Sequence, residues 1–273
     1  MAAPRVSDLY RTAFVTGAST GLGRAFAEML LADGVRVWGT SRDPARLATI
    51  RGLMPVVLEL GDGAAAEQAF RAADRDAGGF DLVINNAGFG VFAEFVGAEF
   101  SAWEEQLQVM LLSPTRLAHA ALPGLIARKR GALVNISSLA AEFPLPFQSA
   151  YNIAKSGLSA LSESLIVETT GSGVIVLDVR PGDYRTAIEG SVRHPQKNPP
   201  PRVQRAWAAF SAMMTKGHDP AHAAAALRRA LLRQRSGTVR MGRFFQAVVA
   251  PFSARFGSLP LKRRVQAKYF DVG

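Results

Sequence analysis

The sequence predicts an α/β fold, a doubly wound sheet of about seven parallel strands with helices on both faces. Two observations carry that reading. Short β-branched or apolar runs alternate with longer segments of helical period from one end to the other. A glycine-rich loop also stands between the first apolar run and the first amphipathic segment, as it does where a strand feeds a helix in such sheets. The expected strands are Thr12–Thr16, Val35–Thr40, Val56–Leu60, Leu82–Asn85, Ala132–Ser137, Val174–Val179 and Thr238–Met241. Between them, Ser101-Ala102-Trp103-Glu104 reads as a capping box, and Asp219 before Pro220 as an N-cap with a first-turn proline. No linker or internal repeat interrupts the 273 residues, so residues 1–273 read as one Rossmann-type domain with a core drawn from 48% hydrophobic residues.

Composition narrows the chemistry. The chain has no cysteine, which excludes disulfides and thiolate catalysis. No apolar run reaches the roughly 18 residues that span a bilayer, and Met1 to Asp8 lacks the apolar core of a secretory signal, so a cytoplasmic protein is expected. A net charge of +10 admits anionic partners. The arginines are dispersed rather than gathered with aromatics on one face, and no recognition motif is present, which argues against nucleic acid. Arg128-Lys129-Arg130 falls at a helix end, where cations are favoured by the dipole.

The first loop reads Thr16-Gly17-Ala18-Ser19-Thr20-Gly21-Leu22-Gly23 and leads into an amphipathic helix. Glycines there let the backbone turn and approach a pyrophosphate at the helix N-terminus. At the tip of the second strand an acid would bond the adenosine ribose of NAD. This chain has Thr40, Ser41 and Arg42 instead, donors suited to a 2′-phosphate, so NADP is preferred over NAD. Asp43, followed by Pro44, reads as a helix cap rather than a ribose ligand.

The segment from Ser138 to Lys155 carries an acid and its activator. Tyr151 and Lys155 lie four apart, on one helical face, where an ammonium favours the phenolate. Lowering a tyrosine from about 10 by roughly three units takes about 4 kcal/mol, within reach of a close, partly desolvated cation. Ser138, at the end of the preceding strand, could donate to a carbonyl oxygen that gains negative charge as hydride arrives.

From Arg11 to Thr186 these residues resemble the short-chain dehydrogenase/reductase family: the glycine loop with Ser19, Thr20 and Leu22, Asn85-Asn86-Ala87-Gly88, the spacing of Ser138, Tyr151 and Lys155, and Pro181-Gly182 with Thr186. The resemblance implies that Tyr151 is the acid/base and Ser138 orients the carbonyl. Lys155 would bind the nicotinamide ribose and lower the tyrosine's pKa. It also implies that Asn86 supports the sheet beside the cofactor and that Glu59 stands where an aspartate usually contacts adenine. The family typically places an asparagine in the middle of the long helix beginning near Ser101, holding a water in a proton relay to the lysine. Here the sequence is Val109-Met110-Leu111-Leu112-Ser113, and a thioether cannot donate. The relay must be rerouted, slowed or abandoned, with Ser113 one turn on as a candidate replacement.

Beyond Thr186 the likeness narrows to members acting on steroids, retinoids and other hydrophobic ketones or alcohols. Phe143, Phe147, Ile188, Trp207 and Phe210, with Met213 and Met214, are candidate pocket-lining groups. Residues 187–216 read as a substrate-covering segment, with a disordered insertion the competing reading, and 243–273 as a helical extension. In that extension Phe244, Phe245, Val248, Val249, Phe252 and Phe256 recur at rough helical spacing near Arg243, Arg255 and Lys262 to Arg264. Helices packed on the body or on a neighbouring subunit are the preferred reading, and a peripheral membrane contact the other. Helical faces beside Tyr151 suit a homodimer or homotetramer. The leading expectation is an NADP(H)-dependent oxidoreductase moving a hydride between nicotinamide and a hydrophobic carbonyl or secondary alcohol, without metal. The alternative, prompted by Met110, is a catalytically weak or inactive NADP-binding scaffold.

Overall fold

The strand segments alternate their side chains between two cores, and this alternation builds the layers. In β1 (Thr12–Val15), Ala13 and Val15 enter one apolar cluster and Phe14 the other. In β4 (Leu82–Asn85), Leu82 and Ile84 join the first and Val83 the second. A sheet buried on both faces needs helices on both sides. The computed structural model describes residues 3–186, 191–252 and 258–270.

The main sheet also contains β2 (Arg36–Ser41), β3 (Met54–Val57), β6 (Gly131–Ile136), β7 (Val174–Pro181) and β9 (Gly237–Met241). Its order is β3-β2-β1-β4-β6-β7-β9, every pairing parallel. The seven strands are those read from the sequence, with ends shifted by a few residues. A second, two-stranded sheet pairs β5 (Gly90–Val91) with β8 (Val192–Arg193). Chain order reverses between β1 and β4, which opens a crevice at their C-terminal ends.

On one face, α1 (Gly21–Ala32) and α7 (Pro220–Leu232) bury Phe26, Leu30, Leu227 and Leu231. Asp219 caps α7 as expected, accepting from the Ala221 amide at 2.9 Å. The other face holds α2 (Gly63–Ala77), α3 (Phe100–Leu107), a π-helical turn at Gln108–Leu112, α4 (Ser113–Ala127) and α5 (Ser149–Glu168). There Phe14 meets Phe70 edge-on at 5.0 Å, and truncating Phe70 to alanine would cost about 3–5 kcal/mol. Ser101 does not cap α3. The Trp103 indole donates to the Phe95 carbonyl at 3.1 Å and its ring is buried, a phase that starts the helix at Phe100 with Glu99 before it.

The helical run Phe100–Ala127 is long and apolar enough to cross a membrane by length and composition, although Glu104, Glu105, Arg116 and His119 interrupt its apolar residues. It lies against α2 and α5, with Trp103, Met110, Leu117 and Leu125 buried. Past β8, α6 (Pro201–Thr215) brings Phe210 and Met214 into a satellite core with Phe92. The extension follows β9 as a π-helical turn at Phe245–Val249 and α8 (Leu259–Tyr269). It is tied down at Gln246, which donates to Asp183, at Gln266, which donates to the Pro144 carbonyl, and at buried Phe270. Phe244, Phe245, Val248, Leu259, Leu261 and Val265 stay at least half exposed, so packing on the body covers only part of its apolar surface.

Candidate active site

The loop after β1 is held from both neighbouring strands. The Thr16 hydroxyl accepts from the Asn86 and Ala87 amides at 2.8 and 3.0 Å, and the Asn86 side-chain amide donates to the Thr16 carbonyl at 2.9 Å. The Thr40 hydroxyl accepts from the Gly17 amide at 3.1 Å. Gly17 has φ +66°, and a Cβ on Gly23 would sit 2.2 Å from the Gly17 carbonyl oxygen, so the loop and the first turn of α1 touch through glycine. Ser19, Thr20, Gly21 and Leu22 face a cavity of about 820 Å³ where α1 begins.

That cavity extends over the tip of β2. Ser41 and the exposed Arg42 line it, and Thr40 lines it while serving the glycine loop. Asp43 stands on the same wall but its carboxylate accepts from the Ala45 amide at 3.0 Å, the cap expected of it. Its short helix, Pro44–Leu47, returns Arg46 to the same wall, a second cation that single-position reading at the strand tip overlooked. Glu59, exposed and accepting from the Gly61 amide at 3.0 Å, borders this end, and Asn86, Ala87 and Gly88 line the middle.

At the other end, β6 delivers Ser138 and α5 delivers Tyr151 and Lys155. The Ser138 oxygen accepts from the Ala140 amide at 3.0 Å, which leaves its hydrogen to point elsewhere. A hydrogen bond between Ser138 and Tyr151 pulls the phenol's pKa down, but burial outweighs it and the Asp183 charge pushes the same way as burial, so the phenol sits above its usual value. This corrects the expectation that Lys155 holds Tyr151 low. The Lys155 ammonium lies 5.8 Å from the centre of the Tyr151 ring and donates to the Ile136 carbonyl at 2.7 Å. Burial brings Lys155 itself down to about 8, against the pull of the Asp178 carboxylate.

Asp178 is fully buried and accepts from Ser159 at 2.8 Å, from Arg180 at 2.7 Å and from Ser137. Arg180 also reaches Glu142 at 2.6 Å. This network braces the floor beneath Lys155. Pro181, Gly182 and Thr186 follow from β7 along the cavity wall.

Met110 is buried in the π-helical turn and lines the cavity, its Cε 2.8 Å from where a Gly88 Cβ would stand. Ser113 does not replace the relay asparagine. Its hydroxyl donates to the Leu60 carbonyl at 2.6 Å and accepts from Gln108 at 2.9 Å, toward β3 and away from Lys155.

The remaining wall is largely apolar. Phe143, Leu145, Phe210, Met213 and Met214 line it, joined by Phe245, Leu261 and Val265 of the extension. Phe147 and Trp207 instead pack behind it around Phe92, with ring centres 5.8 and 5.2 Å away. Aromatic spacing alone does not say which side of a thin wall a ring takes. Ile188 lies outside the described residues. Polar groups on the wall that the sequence did not point to include Gln148 just before α5, Asp183 after Gly182, and Gln246 from the extension, which donates to Asp183 at 2.5 Å. The position of Asp183 between Gly182 and Thr186 was the available signal; nothing in the sequence joins Gln246 to it.

Geometry of this kind belongs to a dinucleotide-dependent oxidoreductase. A family model, short chain dehydrogenase, matches residues 11–197, and the chain belongs to that family. It is 38% identical to an uncharacterized oxidoreductase of Myxococcus xanthus over 68% of this chain and 77% of that one. A short-chain dehydrogenase from Streptomyces avermitilis superposes with TM-score 0.80 at 28% identity, covering 96% of each chain. A metagenomic short-chain oxidoreductase solved with NADP matches at TM-score 0.61 and 34% identity over 63% of this chain and 82% of that one. The protein is thus an oxidoreductase acting between CH–OH and C=O with an NAD(P) cofactor.

Proposed function

We propose that the chain is an NADP(H)-preferring oxidoreductase for a hydrophobic ketone, aldehyde or secondary alcohol. The observation that carries this reading is one continuous cavity. It has Arg42 and Arg46 at one end, Ser138 and Tyr151 within it, and Phe210, Met213 and Met214 on the wall. Two guanidiniums and the Ser41 hydroxyl suit a 2′-phosphate, and the nearest acid past β2, Asp43, has its carboxylate engaged by the Ala45 amide. The glycine loop and the start of α1 would hold the pyrophosphate, with Asn86 and Lys155 farther along.

Bound nicotinamide supplies or accepts the hydride. The chain's own task is to hold the substrate oxygen and move a proton. The Ser138 hydroxyl, its oxygen already engaged by Ala140, donates to the carbonyl oxygen. Tyr151, kept protonated by burial, gives its proton to the developing alkoxide in reduction and takes one in oxidation. Lys155 stands on the same helical face with a proton it can lose near pH 8.

Met110 favours a second reading, a cofactor-binding protein with slow or no catalysis, because a buried thioether closes the usual water relay. A panel of hydrophobic ketones, with NADPH and NADH consumption followed, separates the two. NADPH-dependent turnover supports the oxidoreductase. Tight NADPH binding without turnover of any ketone supports the scaffold.

A further inference from the structure

The apolar cavity opens under the extension, and its rim is made of residues that belong to both the cavity and the surface. Phe245, Leu261 and Val265 line the cavity yet are 63%, 53% and 58% exposed. Outside them stand Phe244, at 74% exposure, Val248 and Leu259. Such a cluster on a soluble surface marks a contact.

Along the described part of the extension the charged residues have one sign. From Gly242 to Phe270 the sequence contains no Asp or Glu, while Arg243, Lys262, Arg263, Arg264 and Lys268 are all basic. Arg243, Arg263, Arg264 and Lys268 are exposed, and among the described residues none of the four lysines and arginines of α8 forms a salt bridge. Exposed aromatic and aliphatic side chains flanked by cations are the chemistry of an interfacial helix on anionic lipid.

We infer that the surface formed by the Phe245–Val249 turn and α8 docks on an anionic phospholipid bilayer, placing the cavity mouth against the lipid so that apolar substrate enters without crossing water. The inference rests on the proposed hydrophobic-substrate reading. Charge decides the occupant. A second copy would bring the same cations face to face, which opposes a symmetric pair, whereas an anionic headgroup layer neutralises them. The location decides it too, since Phe245, Leu261 and Val265 of the patch also line the cavity proposed to take an apolar substrate.

The test is co-sedimentation of the full chain with vesicles of phosphatidylcholine alone and of phosphatidylcholine with phosphatidylserine. Binding to the mixed vesicles is expected, falling as salt is raised. R263E/R264E should weaken it about thirty-fold, the effect of roughly two lost lysine or arginine contacts, and F244S/L259S should weaken it as well. These four side chains lie outside the cavity wall, so turnover of a water-soluble ketone and the melting temperature should stay at wild-type values. Failure to bind the mixed vesicles overturns the inference, as does equal binding by wild type and both variants. A wild-type dimer that F244S/L259S converts to monomer, with no vesicle binding, overturns it in favour of self-association. A chain that reduces ketones but ignores vesicles fails this inference alone. One that binds vesicles but reduces nothing fails the oxidoreductase reading alone.

Discussion

The Lys155 ammonium donates to the Ile136 carbonyl at 2.7 Å while lying 5.8 Å from the centre of the Tyr151 ring. One helical turn separates the two residues, and one backbone carbonyl of β6 fixes where the cation stands. Proton handling at this site therefore depends on the charge that surrounds Lys155 as much as on the phenol.

Lys155 has a pKa near 8, and the Asp178 carboxylate holds it from falling further. Its proton is present below pH 8 and lost above, so kcat/KM for reduction should fall as pH rises through about 8. Asp178→Asn removes the supporting charge and should move that fall toward lower pH. In the folded chain Lys155 releases its proton more readily than in the unfolded one, whose value is near 10.5, so this residue's contribution to stability rises with pH between the two. Asp178→Asn should also cost up to about 3–5 kcal/mol, moderated by the remaining Arg180–Glu142 pair. A pH–rate profile and a denaturant titration check both.

Arg42 and Arg46 border the end of the cavity over β2. Arg42→Asp puts a carboxylate where the 2′-phosphate of NADP would lie and offers the ribose of NAD a partner. Preference for NADPH over NADH should drop by roughly ten- to a hundredfold, the range of one charge-assisted hydrogen bond. Unchanged discrimination in steady-state kinetics would remove Arg42 from the assignment.

Met110 fills the space beside Gly88 and supplies no donor. Met110→Asn should raise kcat in an active enzyme if proton supply limits turnover. It should also lower stability by about 1–3 kcal/mol, because the amide is buried in a site shaped for a thioether. A solvent isotope effect that shrinks in the variant would locate the gain in proton transfer.

Much of this arrangement was legible because the signals were local. Short apolar runs such as Leu82–Asn85, set between segments of helical period, pointed to the strands, and the glycine loop and the Tyr151–Lys155 spacing to both ends of the cavity. What escaped depended on distant partners. Strands β5 and β8 are two residues each and exist only through pairing with one another. Phe147 and Trp207 turn from the cavity because Phe92, far away in sequence, draws them together. Ser113 sits one turn past Met110, yet its hydroxyl is taken by the carbonyl of Leu60, 53 residues earlier in the chain. The expected effect of Lys155 on Tyr151 failed for a related reason: helical spacing gives proximity, whereas burial of the phenol sets the sign of the shift.

Tyr151→Phe tests the central claim most directly, because it removes one hydroxyl and keeps the ring. NADPH binding, followed by the nucleotide's fluorescence, should remain close to wild type while turnover of every accepted ketone falls to background. Turnover within a few-fold of wild type in this variant would contradict the assignment of Tyr151 as the proton donor.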